Sequence, residues 1–113
     1  MPDFYGTASG FTAYHTARDN TVPADIDTNE EIETLLLVAS EWIDARYRSK
    51  FQGWKTGERD QVREWPRRGH VDYYDYLIPD DQIPREIENA TYEIALRHAN
   101  SPGVLSIDYT PSL

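Results

Sequence analysis

The sequence predicts a mainly α fold: a small domain of about three helices, a short β-hairpin or extended loop between the second and third, and an extended C-terminal segment. Three observations carry this. Apolar residues step by threes and fours from Ile32 to Ile43 and again from Ile83 to His98, the spacing of a core-facing helical stripe. Between the two runs, Gly53, Gly57, Pro66, Gly69 and Pro79 break any helix. Past Asn100, the run Ser101, Pro102, Gly103 stops the last helix. One domain over residues 1–100 and an extended segment over 101–113 follow, as the length of 113 residues suits a single core.

The first helix is expected from Thr7 or Ser9 to Arg18, with Phe11, Tyr14 and Ala17 on one face. Asp19 and Asn20 end it, and the stretch TVPADIDTN reads as a loop. Thr28 and Glu31 have capping-box spacing, so the second helix starts there, with the Glu carboxylate reaching back to a free backbone N–H. Its stripe of Ile32, Leu35, Leu36, Ala39, Trp42 and Ile43 carries it to Tyr47 or Ser49. Acidic residues open it and Arg46, Arg48 and Lys50 close it, which complements the helix dipole. Two extended pieces are expected next, near Val62 to Trp65 and near Val71 to Ile78, joined at the Arg67-Arg68-Gly69 turn. Pro84 suits the first position of the third helix, whose apolar face is Ile83, Ile87, Ala90 or Thr91, Ile94, Ala95 and His98. The core then joins Ile32, Leu35, Leu36, Trp42 and Ile43 to Phe11 and Tyr14 on one side and to Ile87 and Ile94 on the other.

Composition narrows the function. There is no cysteine, which removes disulfides, thiolate metal sites and thiol nucleophiles. The longest apolar run, Leu35 to Ala39, is far short of a membrane span, and the first residues carry no secretory pattern. A cytosolic protein, or part of something assembled there, is expected. The net charge is −9, which repels nucleic acid at long range. Residues 46–68 reverse that sign: eight basic side chains against three acidic ones give a local excess of +5. Such asymmetry points to a partner.

No catalytic constellation is visible. The sequence lacks a GxSxG elbow, a phosphate loop and a GxGxxG turn, so an enzyme is not expected. His15, His70 and His98 have no helical metal-pair spacing and read as helix-face or loop residues, so neither a metal nor a cofactor is expected. Asp72, Asp75, Asp80 and Asp81 with Tyr73, Tyr74 and Tyr76 read as a solvated or interface loop. The basic segment is the informative feature. Tyr47, Phe51, Trp54 and Trp65 interleave its charges, and aromatics beside cations are what single-stranded nucleic acid requires. On that reading Tyr47, Lys50, Trp54, Lys55 and Trp65 make the contacts. On the other, Arg46, Arg48, Lys50, Arg59, Arg63, Trp65, Arg67 and Arg68 form an oligomer or partner surface, the cations meeting the acidic remainder of this chain or of its neighbour.

The stretches YGTASGFTAYHTARDN, ASEWIDARYRSKFQG, RDQVREWPRRGHVD and IPDDQIPREIENATYEIALRHA resemble a family of small tailed-phage proteins encoded among head-completion genes. Its members are labelled head–tail connector (adaptor) proteins or DnaT-like single-stranded-DNA-binding proteins. The resemblance implies a structural protein of the virion neck, assembled in the bacterial host cytoplasm. Its copies would form a ring, commonly of twelve, that docks on the portal protein and receives the next neck, stopper or tail-completion protein. Genomic DNA would pass through the channel without specific binding, and no membrane is involved. In related adaptors a C-terminal segment reaches the portal, which maps onto Ser101 to Leu113 and adds Ile107, Asp108 and Tyr109 to the interface set. The alternative is a DnaT-like single-stranded-DNA-binding protein that uses residues 46–68.

Overall fold

The computed structural model describes residues 3–101. The C-terminal segment and its Ile107, Asp108 and Tyr109 lie outside the described residues. Three helices form: α1 (Ala8–Ala17), α2 (Asn29–Tyr47) and α3 (Arg85–Asn100). Between α2 and α3 lies a two-residue antiparallel pair, β1 (Trp54–Lys55) and β2 (Arg67–Arg68), flanked by single 3-10 turns at Arg48–Lys50 and Glu58–Asp60.

Each helix start has a physical cause. Thr7 caps α1 by accepting from the Gly10 N–H at 2.9 Å. Thr28 caps α2 by accepting from the Glu31 N–H at 3.2 Å. The expected return contact differs: Glu31 Oε1 accepts from the Thr28 hydroxyl at 2.8 Å rather than from a backbone N–H. Pro84 precedes α3 as its cap residue, with ψ 142°, instead of occupying the first helical turn. Past α1, Asp19 takes a positive φ of 56° while the Asn20 N–H reaches back to His15 O, the left-handed exit from a helix.

The core lies where α2 meets α1 and α3. Phe11, Ile32, Leu35, Leu36 and Ala39 pack with Tyr92, Ala95 and Leu96, and Trp42 and Ile43 pack against Phe51, Ala90 and Ile94 at the other end of α2. The buried face of α3 is rotated from the expected stripe: Thr91, Tyr92, Ala95 and Leu96 are interior, whereas Ile87 and Ile94 are half-buried. Tyr92 turns inward because its hydroxyl finds a donor, the Thr7 N–H at 3.2 Å. His15, also interior, donates from Nε2 to Tyr92 O at 2.9 Å and accepts at Nδ1 from Asn20 at 3.0 Å.

The strand placement is corrected. Neither Val62 to Trp65 nor most of Val71 to Ile78 forms a strand; the ladder pairs Trp54 with Arg68 and Lys55 with Arg67, and Val71 and Leu77 form an isolated bridge. Gly53 explains the choice. A Cβ there would sit 1.7 Å from Arg68 O, and its φ is +71°, so only glycine lets the two strands approach this closely.

Candidate nucleic-acid interface

The segment from Arg46 to Arg68 divides into an internal frame and an exposed strip. The frame begins at Tyr5, which is fully buried. Its backbone N–H donates to Ser40 Oγ at 2.9 Å, and the Ser40 hydroxyl donates in turn to Leu36 O at 2.7 Å. The Tyr5 hydroxyl donates to Asp44 Oδ1 at 2.6 Å and accepts from the Trp65 N–H at 3.2 Å. Asp44 Oδ2 accepts from the Glu64 N–H at 3.1 Å and faces Arg63 at 3.4 Å. Burial raises the Asp44 carboxyl above its ordinary range, against the opposing pull of the Tyr5 and Glu64 hydrogen bonds and the Arg63 charge. Burial is also the first cause, with the Asp44 charge second, that pushes the Tyr5 hydroxyl far up.

Arg67 is the second post of the frame. Its guanidinium donates to Gln52 O at 2.9 Å, Gly53 O at 2.8 Å, Glu64 O at 3.2 Å and Glu64 Oε1 at 2.9 Å. A planar fork satisfies three loop carbonyls and a carboxylate at once. Trp65 is 1% exposed and meets Phe51 and His70 edge-on at 5.5 and 4.6 Å. The Trp65–Pro66 peptide bond is cis.

Three residues predicted as contacts, Arg63, Trp65 and Arg67, therefore hold the loop to the body. Trp65 has no free face on which a base could stack. Lys55 is half-buried and donates from Nζ to Gln61 O at 2.8 Å. Arg48 is exposed, its Nε donating to Asp44 O at 3.3 Å. Tyr47 leans on Trp42 at 6.2 Å, and the Arg46 guanidinium lies 5.1 Å from the Trp42 ring centre.

What remains on the surface includes Lys50 in the turn after α2, Trp54 in β1, Arg59 in the turn between the strands and Arg68 in β2. Trp54 is 58% exposed and stands opposite Arg68, itself exposed with Nε 3.9 Å from Asp80. Lys50 and Arg59 are exposed on either side of it in sequence. Trp54 is thus the one indole of three that presents a face to solvent. Its pairing with a cation across a rigid two-residue ribbon is the arrangement that accepts a stacked ring beside an anion.

Residues 3–111 match the family described as "Putative DnaT-like ssDNA binding protein". The chain belongs to that family. The match is to the second of the two labels that the resemblance offered, the DnaT-like one, and not to the connector label. No curated protein and no solved structure matches the chain. Among the described residues no three His, Asp or Glu side chains gather as a metal site, and no helix is long and apolar enough to cross a membrane. Sequence reasoning missed Tyr5 and Asp44, because nothing in their local spacing shows that a hydroxyl near the chain start meets a carboxylate on α2.

Proposed function

We propose that this DnaT-like chain binds single-stranded DNA along the strip formed by Lys50, Trp54, Arg59 and Arg68, with Trp54 as the stacking platform. The exposed Trp54 opposite Arg68 carries the reading, and the family description supports it. Stacking on an aromatic side chain tolerates any base, so the site selects unpaired strands rather than a sequence. The chain's net charge of −9 keeps binding modest and confines it to the strip. Three cations on a single strand give a slope of log affinity against log salt of about −2.

Fluorescence anisotropy of a labelled oligothymidine, titrated at 50 to 300 mM salt, tests this. Binding at 50 mM that weakens with that slope, with quenching of the exposed indole, is the expected result. No binding at 50 mM salt refutes it. The portal-ring reading makes a different demand, that a neighbouring subunit cover this strip, and a chain that ignores oligonucleotides yet assembles with portal protein would favour it.

A further inference from the structure

The turn from Pro79 to Gln82 lies against the two strands that carry Trp54 and Arg68. Just before it, the Ile78 N–H donates to His70 O at 2.9 Å, which ties it to the exit of β2. Its middle is tied to the exit of β1, where the Thr56 hydroxyl donates to Asp80 O. The turn closes on itself through the Gln82 N–H, which donates to Pro79 O at 3.2 Å. Thr56 is fixed as well, its N–H donating to Pro66 O at 3.0 Å. Trp54, Arg68 and Asp80 therefore sit on one hydrogen-bonded unit that holds a stacking face, a cation and an acid together.

Within that unit Arg68 Nε faces Asp80 Oδ2 at 3.9 Å, and the two side chains are 50% and 56% exposed. At that distance they form an ion pair without a hydrogen bond. An exposed pair of this kind gains little, because water screens it. A phosphate oxygen that comes to hydrogen-bond distance of the same guanidinium makes a shorter and stronger contact. The acid thus occupies the cation in the free chain and yields it to a strand. The pairing is particular to this carboxylate: among the described residues Asp80, and not its exposed neighbour Asp81 in the same turn, lies within ion-pair reach of Arg68.

We propose that Asp80 is an intramolecular competitor for Arg68: its carboxylate holds the place of a strand phosphate in the free chain, and single-stranded DNA binds by displacing it. The proposal rests on the DNA-binding reading given above. Arg68 exchanges one anion for another when the strand arrives, so its contact with phosphate adds less to affinity than that of a cation with no acid beside it. The remainder comes from Trp54, on which a base stacks. A ligand that offers phosphates and no rings lacks that contribution, and Asp80 opposes it without compensation. The acid therefore turns a cationic patch into a site that depends on stacking.

Anisotropy of a labelled oligothymidine at 50 mM salt tests it on Asp80→Asn, Asp81→Asn, Arg68→Ala and the double variant that combines Asp80→Asn with Arg68→Ala. All of these change exposed side chains, and circular dichroism confirms that they fold. Asp80→Asn is expected to bind about two- to fivefold more tightly than wild type, the range that an exposed ion pair supplies. Asp81→Asn removes the same charge one residue away and is expected to give a smaller gain. With Arg68 already replaced, Asp80→Asn is expected to gain no more than Asp81→Asn does in the wild type. Equal gains from Asp80→Asn and Asp81→Asn would show net charge acting at a distance, and a full gain that persists without Arg68 would show Asp80 opposing some other group; either overturns the proposal. Binding that is indifferent to Asp80 overturns it and leaves the DNA-binding reading standing, whereas no binding by wild type or any variant removes both.

Discussion

Tyr5 donates its hydroxyl proton to Asp44 across 2.6 Å, joining two residues 39 positions apart inside the protein. The same oxygen accepts from the Trp65 N–H, so one phenol ties the start of the chain, the end of α2 and the loop beyond. Replacement by phenylalanine keeps the ring and leaves the Trp65 N–H and one Asp44 lone pair unsatisfied. Tyr5→Phe is expected to lower unfolding free energy by about 1–3 kcal/mol, measured by urea titration followed by tryptophan fluorescence. No loss would show that the clasp is energetically idle.

Asp44 gives the fold a pH dependence of known sign. Its carboxyl is raised above the ordinary 3.8 chiefly by burial, so the folded state favours the protonated form. Stability from this group is complete below pH 3.8 and is lost as pH rises through the raised value. Asp44→Asn does not titrate, and the stability of wild type relative to this variant should fall over that window. Urea titrations of both proteins from pH 3 to 7 check it. A difference that moves in the opposite direction would show the Arg63 ion pair outweighing burial.

Arg67 and Arg68 are adjacent in sequence and opposite in role. Arg67→Ala strands the carbonyls of Gln52 and Gly53 and the Glu64 carboxylate, and is expected to cost about 3–5 kcal/mol. Arg67→Lys recovers only part, because an ammonium cannot make the fork. Arg68→Ala should change stability by less than about 0.5 kcal/mol while reducing the salt slope of oligonucleotide binding by about 0.7. Thermal melts and anisotropy on the same three variants separate the two effects.

The tryptophans make the parallel contrast. Trp54→Ala is expected to leave the melt unchanged and to weaken oligonucleotide binding by roughly 5- to 150-fold, the value of one stacked base. Trp65→Ala removes a wholly buried side chain and is expected to cost about 3–5 kcal/mol. Equal losses of binding from the two substitutions at matched folded fraction would contradict the assignment of Trp54 as the platform.

The helices were legible because their causes are local. Thr7 and Thr28 cap where the spacing places caps, and the α2 stripe from Ile32 to Ile43 is interior. The face of α3 was misjudged because Tyr92 reads as amphipathic until the Thr7 N–H is known to lie beside it. The strands were misplaced for a related reason: β1 is set by the approach of Gly53 to Arg68, a contact between residues that no periodicity links. In the basic segment the charge excess was readable and its division was not. Which arginine turns inward depends on whether a carbonyl or carboxylate waits there, as Gln52, Gly53 and Glu64 do for Arg67.

The engagement of the chain start carries a consequence for biosynthesis. The Thr7 N–H is held by Tyr92, 85 positions later, and Gly10 packs so closely under that phenol that a Cβ would stand 2.2 Å from its oxygen. Contacts of such wide sequence separation form last and slow folding. Helix α1 therefore has to wait for α3, and the three-helix core closes only once α3 has been translated.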